Sequence, residues 1–131
     1  MAQSHADIYR RSLDELMQGR SDTMSGALAD DVVWHEAGNP QPMRGKQAVL
    51  ERFSAMQGAA PDVRIKSSLE DNDYLSIFGH AKFQQGDQTC EYDYVEELQF
   101  RGDKIVERWS FMDAVPEDVD QFFRNMQPAG S

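Results

Sequence analysis

Four ionisable side chains stand out in segments whose period suggests strands. They are Glu36 at the end of "VVWHE", His80 in "YLSIFGHAKFQ", Glu96 in "YDYVEELQF" and Arg108 in "IVERWSFM". A carboxyl group in apolar surroundings is costly to ionise, so its pKa rises and it can exchange protons near neutral pH. Two carboxyl groups in one cavity push their pKa values apart, which suits one as a base and one as a protonated donor. Glu36 and Glu96 can form such a pair. Arg108 can instead hold one of them ionised as a structural ion pair, or clamp an acidic substrate bidentately. His80 is either a proton shuttle or a partly buried, hydrogen-bonded histidine.

Strand parity groups these residues without deciding which group faces inward. Trp34 shares a face with Val32 and Glu36, and His35 takes the other. Tyr92 and Tyr94 share a face with Glu96 and Leu98. Ser110 and Met112 go with Arg108, and Phe78 and Lys82 go with His80. Glu36 either faces a pocket or caps the "GNPQP" loop that follows it. Trp34 suits core packing and ligand contact alike. "HEAGN" lacks the second histidine of a zinc-binding His-Glu-x-x-His helix. A site built from His35, Glu36 and His80 would mix faces, so no metal is expected. With no Walker loop, dinucleotide fingerprint or Gly-x-Ser-x-Gly elbow, no cofactor is implied.

The elements that must position these groups begin with a helix over His5 to Gln18, carrying Ile8, Tyr9, Leu13 and Leu16 at helical spacing. Gly19 stops it. Ser21-Asp22 opens a second short helix, and a strand follows over Val32 to Glu36. Pro40 and Pro42 enforce a loop, and Gly45 opens a third helix with Val49, Leu50, Phe53 and Met56 on one stripe. Past Pro61 the period changes to two. Val63, Ile65, Ser67 and Leu69 alternate with polar residues. Strands then run over Tyr74 to Gln84, Thr89 to Phe100 and Ile105 to Met112, joined by short turns. Pro116 starts a closing helix with Val119, Phe122 and Phe123. Helices followed by a four-strand meander predict an α+β fold, a curved antiparallel sheet wrapped against helices.

The 131 residues suit one domain, and 40% hydrophobic content supports a core. A net charge of -10 disfavours nucleic acid and anionic membrane surfaces. No apolar run reaches the roughly 20 residues of a membrane helix, and "MAQSHADIYRR" lacks the apolar stretch of a signal peptide. Cys90 is the only cysteine, so no intramolecular disulfide is possible. A cytoplasmic protein is the expectation.

"LADDVVWHEAGNPQPMRGKQAVLERF" resembles the start of the nuclear transport factor 2-like superfamily, in its SnoaL-like and ketosteroid-isomerase-like branch, and "YVEELQFRGDKIVERWSFMD" is similar to its last two strands. The resemblance implies a cone-shaped sheet enclosing a pocket, and it supplies the inward parity. It sets Glu36 where ketosteroid isomerase has its aspartate base, and Glu96 near that enzyme's protonated oxyanion-hole aspartate. Trp34 and Glu36 fall where limonene epoxide hydrolase has a tyrosine and an asparagine that hold water. The isomerase's phenol donor matches Ser12, which has no phenol; Tyr9 lies one turn earlier and can substitute. Ser110 stands where hydrolases and cyclases of this superfamily carry an acid/base aspartate. No known catalytic set is complete.

The expectation is a single SnoaL-like domain over residues 1–131. It performs acid/base chemistry (isomerisation, cyclisation, hydration or dehydration) on an apolar carbonyl-containing substrate. Glu36, Glu96 and Arg108 are the catalytic candidates. Tyr9, Trp34, Phe78, His80, Tyr94, Ser110 and Met112 are the substrate-binding ones. The alternative is a non-catalytic ligand-binding or dimerisation domain, its pocket plugged by Trp34, Met112 and the tyrosines. Trp109, Phe111 and Val95 at outward parity predict a homodimer through the convex sheet face.

Overall fold

A computed structural model describes residues 4–124. In chain order the elements are helices α1 (His5–Met17) and α2 (Asp22–Ala27), strands β1 (Leu28–His35) and β2 (Met43–Arg44), and helix α3 (Lys46–Met56). A short 3-10 turn (Gln57–Ala59) precedes strands β3 (Asp62–Asp71), β4 (Tyr74–Gln85), β5 (Gln88–Arg101) and β6 (Lys104–Met112), and helix α4 (Pro116–Arg124) follows. The fold is α+β. One curved, open six-stranded sheet runs in the order β2-β1-β6-β5-β4-β3 and wraps against the helices.

The sheet departs from a purely antiparallel plan at one junction, where β1 runs parallel to β6 and pairs Trp34 with Arg108 and His35 with Trp109. The sequence pattern carries no sign of this pairing, because β1 and β6 lie at opposite ends of the sheet-forming sequence. Nor does it show β2, which is two residues long and pairs Met43 with Trp34. Strand β3 also departs from simple alternation. A register shift between Ile65 and Ser67 flips its parity, so Leu69, which simple alternation groups with Val63 and Ile65, is 79% exposed.

Helix α1 begins at Ser4, whose Oγ accepts from the Asp7 backbone N–H at 3.0 Å. Ser21 makes no such bond to α2; Thr23 donates to Glu15 instead. Tyr9, Ser12, Leu13 and Leu16 form the buried stripe of α1 at i, i+3, i+4, i+7 spacing. The backbone N–H groups of His5 and Ala6 donate to Glu70 at the end of β3. The His5 ring stacks on Phe100 with centroids 4.1 Å apart, so it is packed rather than solvated.

The core lies between helices and sheet, built on Met24, Leu28, Val32, Trp34, Val49, Leu75, Ile77, Phe83, Leu98 and Phe100. Gly38, at φ +76°, lets its loop close on the start of α4. A Cβ there would lie 2.4 Å from the Pro116 side chain.

Candidate active site

The inner face of the sheet, with α1, α3 and α4, encloses a cavity of about 690 Å³, within the range that small-molecule sites occupy. Its apolar wall includes Trp34, Met43, Phe53, Phe83, Met112 and Phe123. Phe53 meets Trp34 edge-on at 5.5 Å, and Phe123 meets Phe83 at 5.1 Å. The polar groups are few and converge on one arginine.

Arg108 is buried, and its Nε donates to Glu96 Oε2 at 2.7 Å. Its Nη1 donates to the His35 carbonyl at 3.1 Å and lies 3.6 Å from Glu36 Oε2. The guanidinium sits over the Trp34 ring at 4.5 Å, a direct consequence of the β1–β6 pairing of these two residues. Burial works against the cation. The carboxylates of Glu96 and then Glu36 outweigh it and push the Arg108 pKa up.

Glu96 is 3% exposed, and its second oxygen, Oε1, accepts from the Tyr9 hydroxyl at 2.8 Å. Both oxygens therefore accept. Glu96 and Arg108 thus form a buried ion pair, to which Tyr9 adds a second contact. Tyr9 is buried on α1, and desolvation, then the Glu96 charge, raise its pKa well above the ordinary phenol value.

Glu36 lies nearer solvent, with its side chain 26% exposed. Arg52 Nε stands 3.6 Å from its Oε1 and Arg108 Nη1 3.6 Å from its Oε2. Glu36 is thus neither a lone base nor the partner of Arg108 alone, but sits between two arginines. Arg52 also stacks over Phe123 of α4 at 4.9 Å, linking Glu36 to the helix that borders the cavity. Arg52 was not legible as a site residue by charge. Its place beside Val49, Phe53 and Met56 on the inward stripe of α3 is the signal that could have found it.

Tyr94, Ser110 and Met112 line the same cavity, as do Tyr9 and Trp34. Tyr94 is 6% exposed, and its Oη has no hydrogen-bond partner among the described residues. An unpaired buried hydroxyl of this kind costs on the order of 1–3 kcal/mol. Burial first, then the Glu96 charge, raise the Tyr94 pKa.

Phe78 and His80 do not reach the cavity, which corrects their sequence assignment. In an antiparallel pair, directly opposed residues point to the same face. Ile77 opposes Glu96 and Gly79 opposes Tyr94, so the odd-numbered residues of β4 face in. The signal was present: Leu75, Ile77, Ala81 and Phe83 are the more apolar set of that strand. Phe78 is 40% exposed. His80 holds Asp93 on Nδ1 and Glu91 on Nε2, each at 2.7 Å. His35 also faces outward, stacked on Trp109 and bonded to Glu107 at 2.7 Å. Among the described residues no group of three His, Cys, Asp or Glu side chains could hold a metal ion, and no helix is long and apolar enough to cross a membrane.

A family model, the SnoaL-like domain, matches residues 9–108. No curated protein matches the chain. Three solved structures show the same fold at low identity. A candidate SnoaL-like polyketide cyclase from Jannaschia sp. CCS1 superposes with a TM-score of 0.76 at 12% identity, covering 98% of this chain and 99% of that one. Wild-type IdmH, a candidate polyketide cyclase from Streptomyces antibioticus, gives 0.73 at 16% identity over 85% and 93% of the two chains. A protein with a ketosteroid isomerase-like fold from Catenulispora acidiphila, in complex with trimethylamine, gives 0.70 at 13% identity over 79% and 83%.

Proposed function

Since this chain belongs to the SnoaL-like domain family, we propose that it is a small-molecule enzyme acting without a cofactor on an apolar, carbonyl-containing substrate. The observation that carries this reading is the cavity of about 690 Å³ with Glu36 at its solvent side and Glu96, Arg108 and Tyr9 buried deeper. Its apolar lining suits an apolar substrate. Its volume argues against the alternative of a pocket plugged by Trp34, Met112 and the tyrosines.

Glu36 takes the role of base, abstracting a proton next to the carbonyl. Arg52 and Arg108 orient it from either side. Arg108 keeps its position because Glu96 anchors its Nε and Trp34 supports its plane. Glu96 acts through Arg108 and Tyr9 as a positioning residue. The reaction is an isomerisation, cyclisation, hydration or dehydration. Glu36→Gln keeps the shape and removes the base. Assayed on a substrate found by thermal-shift screening of steroids, enones, epoxides and polyketide fragments, it is expected to lose at least a hundredfold in kcat. Turnover equal to wild type refutes the assignment.

The reading includes a single domain, a cytoplasmic setting and a homodimer. Cys90 is a free thiol, which suits a reducing compartment. On the outer sheet face Phe78, Val95 and Phe111 stand side by side in register, at 40%, 44% and 62% exposure. A second copy laid on this stripe removes it from water. Light scattering is expected to give twice the monomer mass at micromolar concentration, and the monomer mass for Phe111→Asp. A wild-type monomer refutes the dimer.

A further inference from the structure

Two arginines flank Glu36, and the fold uses their hydrogen-bonding capacity unequally. Arg108 gives Nε to Glu96 and Nη1 to the His35 carbonyl. Arg52 lines the same cavity nearer its solvent side, with its side chain 27% exposed. None of its N–H groups has a hydrogen-bond acceptor among the described residues, and none is sealed from solvent. Its ionic contact, from Nε to Glu36 Oε1, spans 3.6 Å, which is longer than a hydrogen bond. A guanidinium fork matches a carboxylate in bidentate geometry, and here that capacity is left open at the entrance of a cavity.

The packing around Arg52 holds the fork in place. Its guanidinium lies over the Phe123 ring at 4.9 Å. Phe123 is itself fixed edge-on against Phe83 at 5.1 Å and Phe122 at 5.3 Å. Stacking of this kind sets the plane of the fork and leaves its edges free. Glu36 approaches from the Nε side, so the Nη end stays open. The apolar wall begins beside it, with Phe53, Met56 and Phe123 lining the cavity.

We propose that Arg52, stacked on Phe123, seats a carboxylate carried by the ligand, so that the substrate class is an apolar, carbonyl-containing body with an acidic end. The proposal deepens the carbonyl-substrate reading above and takes the apolar body from it, but its test does not require turnover. A carboxylate on Nη1 and Nη2 makes two charge-assisted hydrogen bonds that the fold leaves unmade. A singly charged group suits the seat better than a dianionic phosphate, because Glu36 already sets negative charge against the same guanidinium. The chain carries a net charge of -10, so the seat works by contact rather than by attraction at a distance.

The test uses naphthylacetate and naphthylacetamide, which differ in charge but hardly in shape, with affinities from calorimetry at neutral pH. Wild type is expected to prefer the carboxylate by about tenfold, equivalent to about 1.4 kcal/mol. Arg52→Gln is expected to abolish that preference. Arg52→Lys keeps the charge without the fork and is expected to retain only part of it, which also carries the test if Arg52→Gln does not fold. Glu36→Gln removes the neighbouring negative charge and is expected to raise the preference. Arg124→Gln removes another cation that lines the cavity and is expected to leave the preference unchanged. No preference in wild type, an undiminished one in Arg52→Gln, or one that is lost with Arg124 instead overturns the assignment. A preference lost in Arg52→Gln alongside full turnover in Glu36→Gln keeps the seat and refutes the base. An undiminished preference in Arg52→Gln alongside lost turnover in Glu36→Gln refutes the seat and keeps the base.

Discussion

The two faces of one sheet carry the same kind of contact with different consequences. On the inner face Arg108 meets Glu96 at 2.7 Å, and on the outer face His80 meets Asp93 and Glu91, each at 2.7 Å. Distance does not separate them; burial does. Glu96 and Arg108 side chains are 4% and 11% exposed, whereas those of His80, Asp93 and Glu91 are 30%, 37% and 49% exposed. Water screens the outer cluster, so any member can be lost with little effect. The inner pair has surrendered its hydration, so each charge depends on the other. The inner face thus has a fixed geometry that a reaction can use, while the outer has a changeable decoration.

Breaking the inner pair one-sidedly gives the largest effect. Arg108→Met leaves Glu96 buried with Tyr9 as its one remaining hydrogen-bond donor among the described residues, and is expected to cost about 3–5 kcal/mol in urea unfolding. Adding Glu96→Gln removes the stranded charge while keeping an acceptor for Tyr9. The double variant is expected to recover at least half of that loss. A double variant as unstable as the single one would mean that lost packing on Trp34, rather than the stranded charge, accounts for the cost.

Tyr9→Phe probes the same assembly more gently. It removes one donor from Glu96 Oε1 and leaves Arg108 on Oε2. The expected loss is about 1–3 kcal/mol by the same unfolding measurement. Tyr94→Phe removes a buried hydroxyl with no partner among the described residues and is expected to raise stability by about 1–3 kcal/mol. Equal losses in the two variants would erase the distinction between a paired and an unpaired phenol.

How much of this was legible in the sequence follows from which interactions are local. Tyr9, Leu13 and Leu16 announce α1 by spacing alone, and the parity of Trp34 and Glu36 needs only β1 itself. Tyr94 and Glu96 share a face for the same reason. Which face of β4 points inward is not a local property, because it is set by pairing with β5. Phe78 and His80, expected inward, yield that face to Ile77 and Ala81. Arg52 escaped because its partner, Glu36, lies across a loop containing two prolines. The joint role of Arg108 depends on a parallel pairing between β1 and β6, which no hairpin turn signals. Pockets are assembled from such long-range pairings, so the residues that line one wall are easier to read than the contacts between walls.

The outer face supplies the smallest effect and the sharpest control. The His80 pKa is raised above its ordinary 6.5, first by its hydrogen bond to Asp93 and then by that to Glu91. A raised folded-state value means the stabilisation is fully present below about pH 6.5 and fades as pH rises through the folded-state value. Asp93 is displaced the opposite way, below its ordinary 3.8, by His80 first and Lys66 second, so its share is lost only as acid takes the pH through that lowered value. Replacing His80 with Gln should therefore lower the urea midpoint slightly at pH 5 to 6, and the gap should close above the raised His80 value. Among the described residues His80 does not line the cavity, so turnover should not follow this titration. A gap that stays constant to alkaline pH would show that His80 contributes packing rather than charge. A turnover profile that tracks the His80 titration would couple the outer face to the cavity and undo the contrast between the two sides of the sheet.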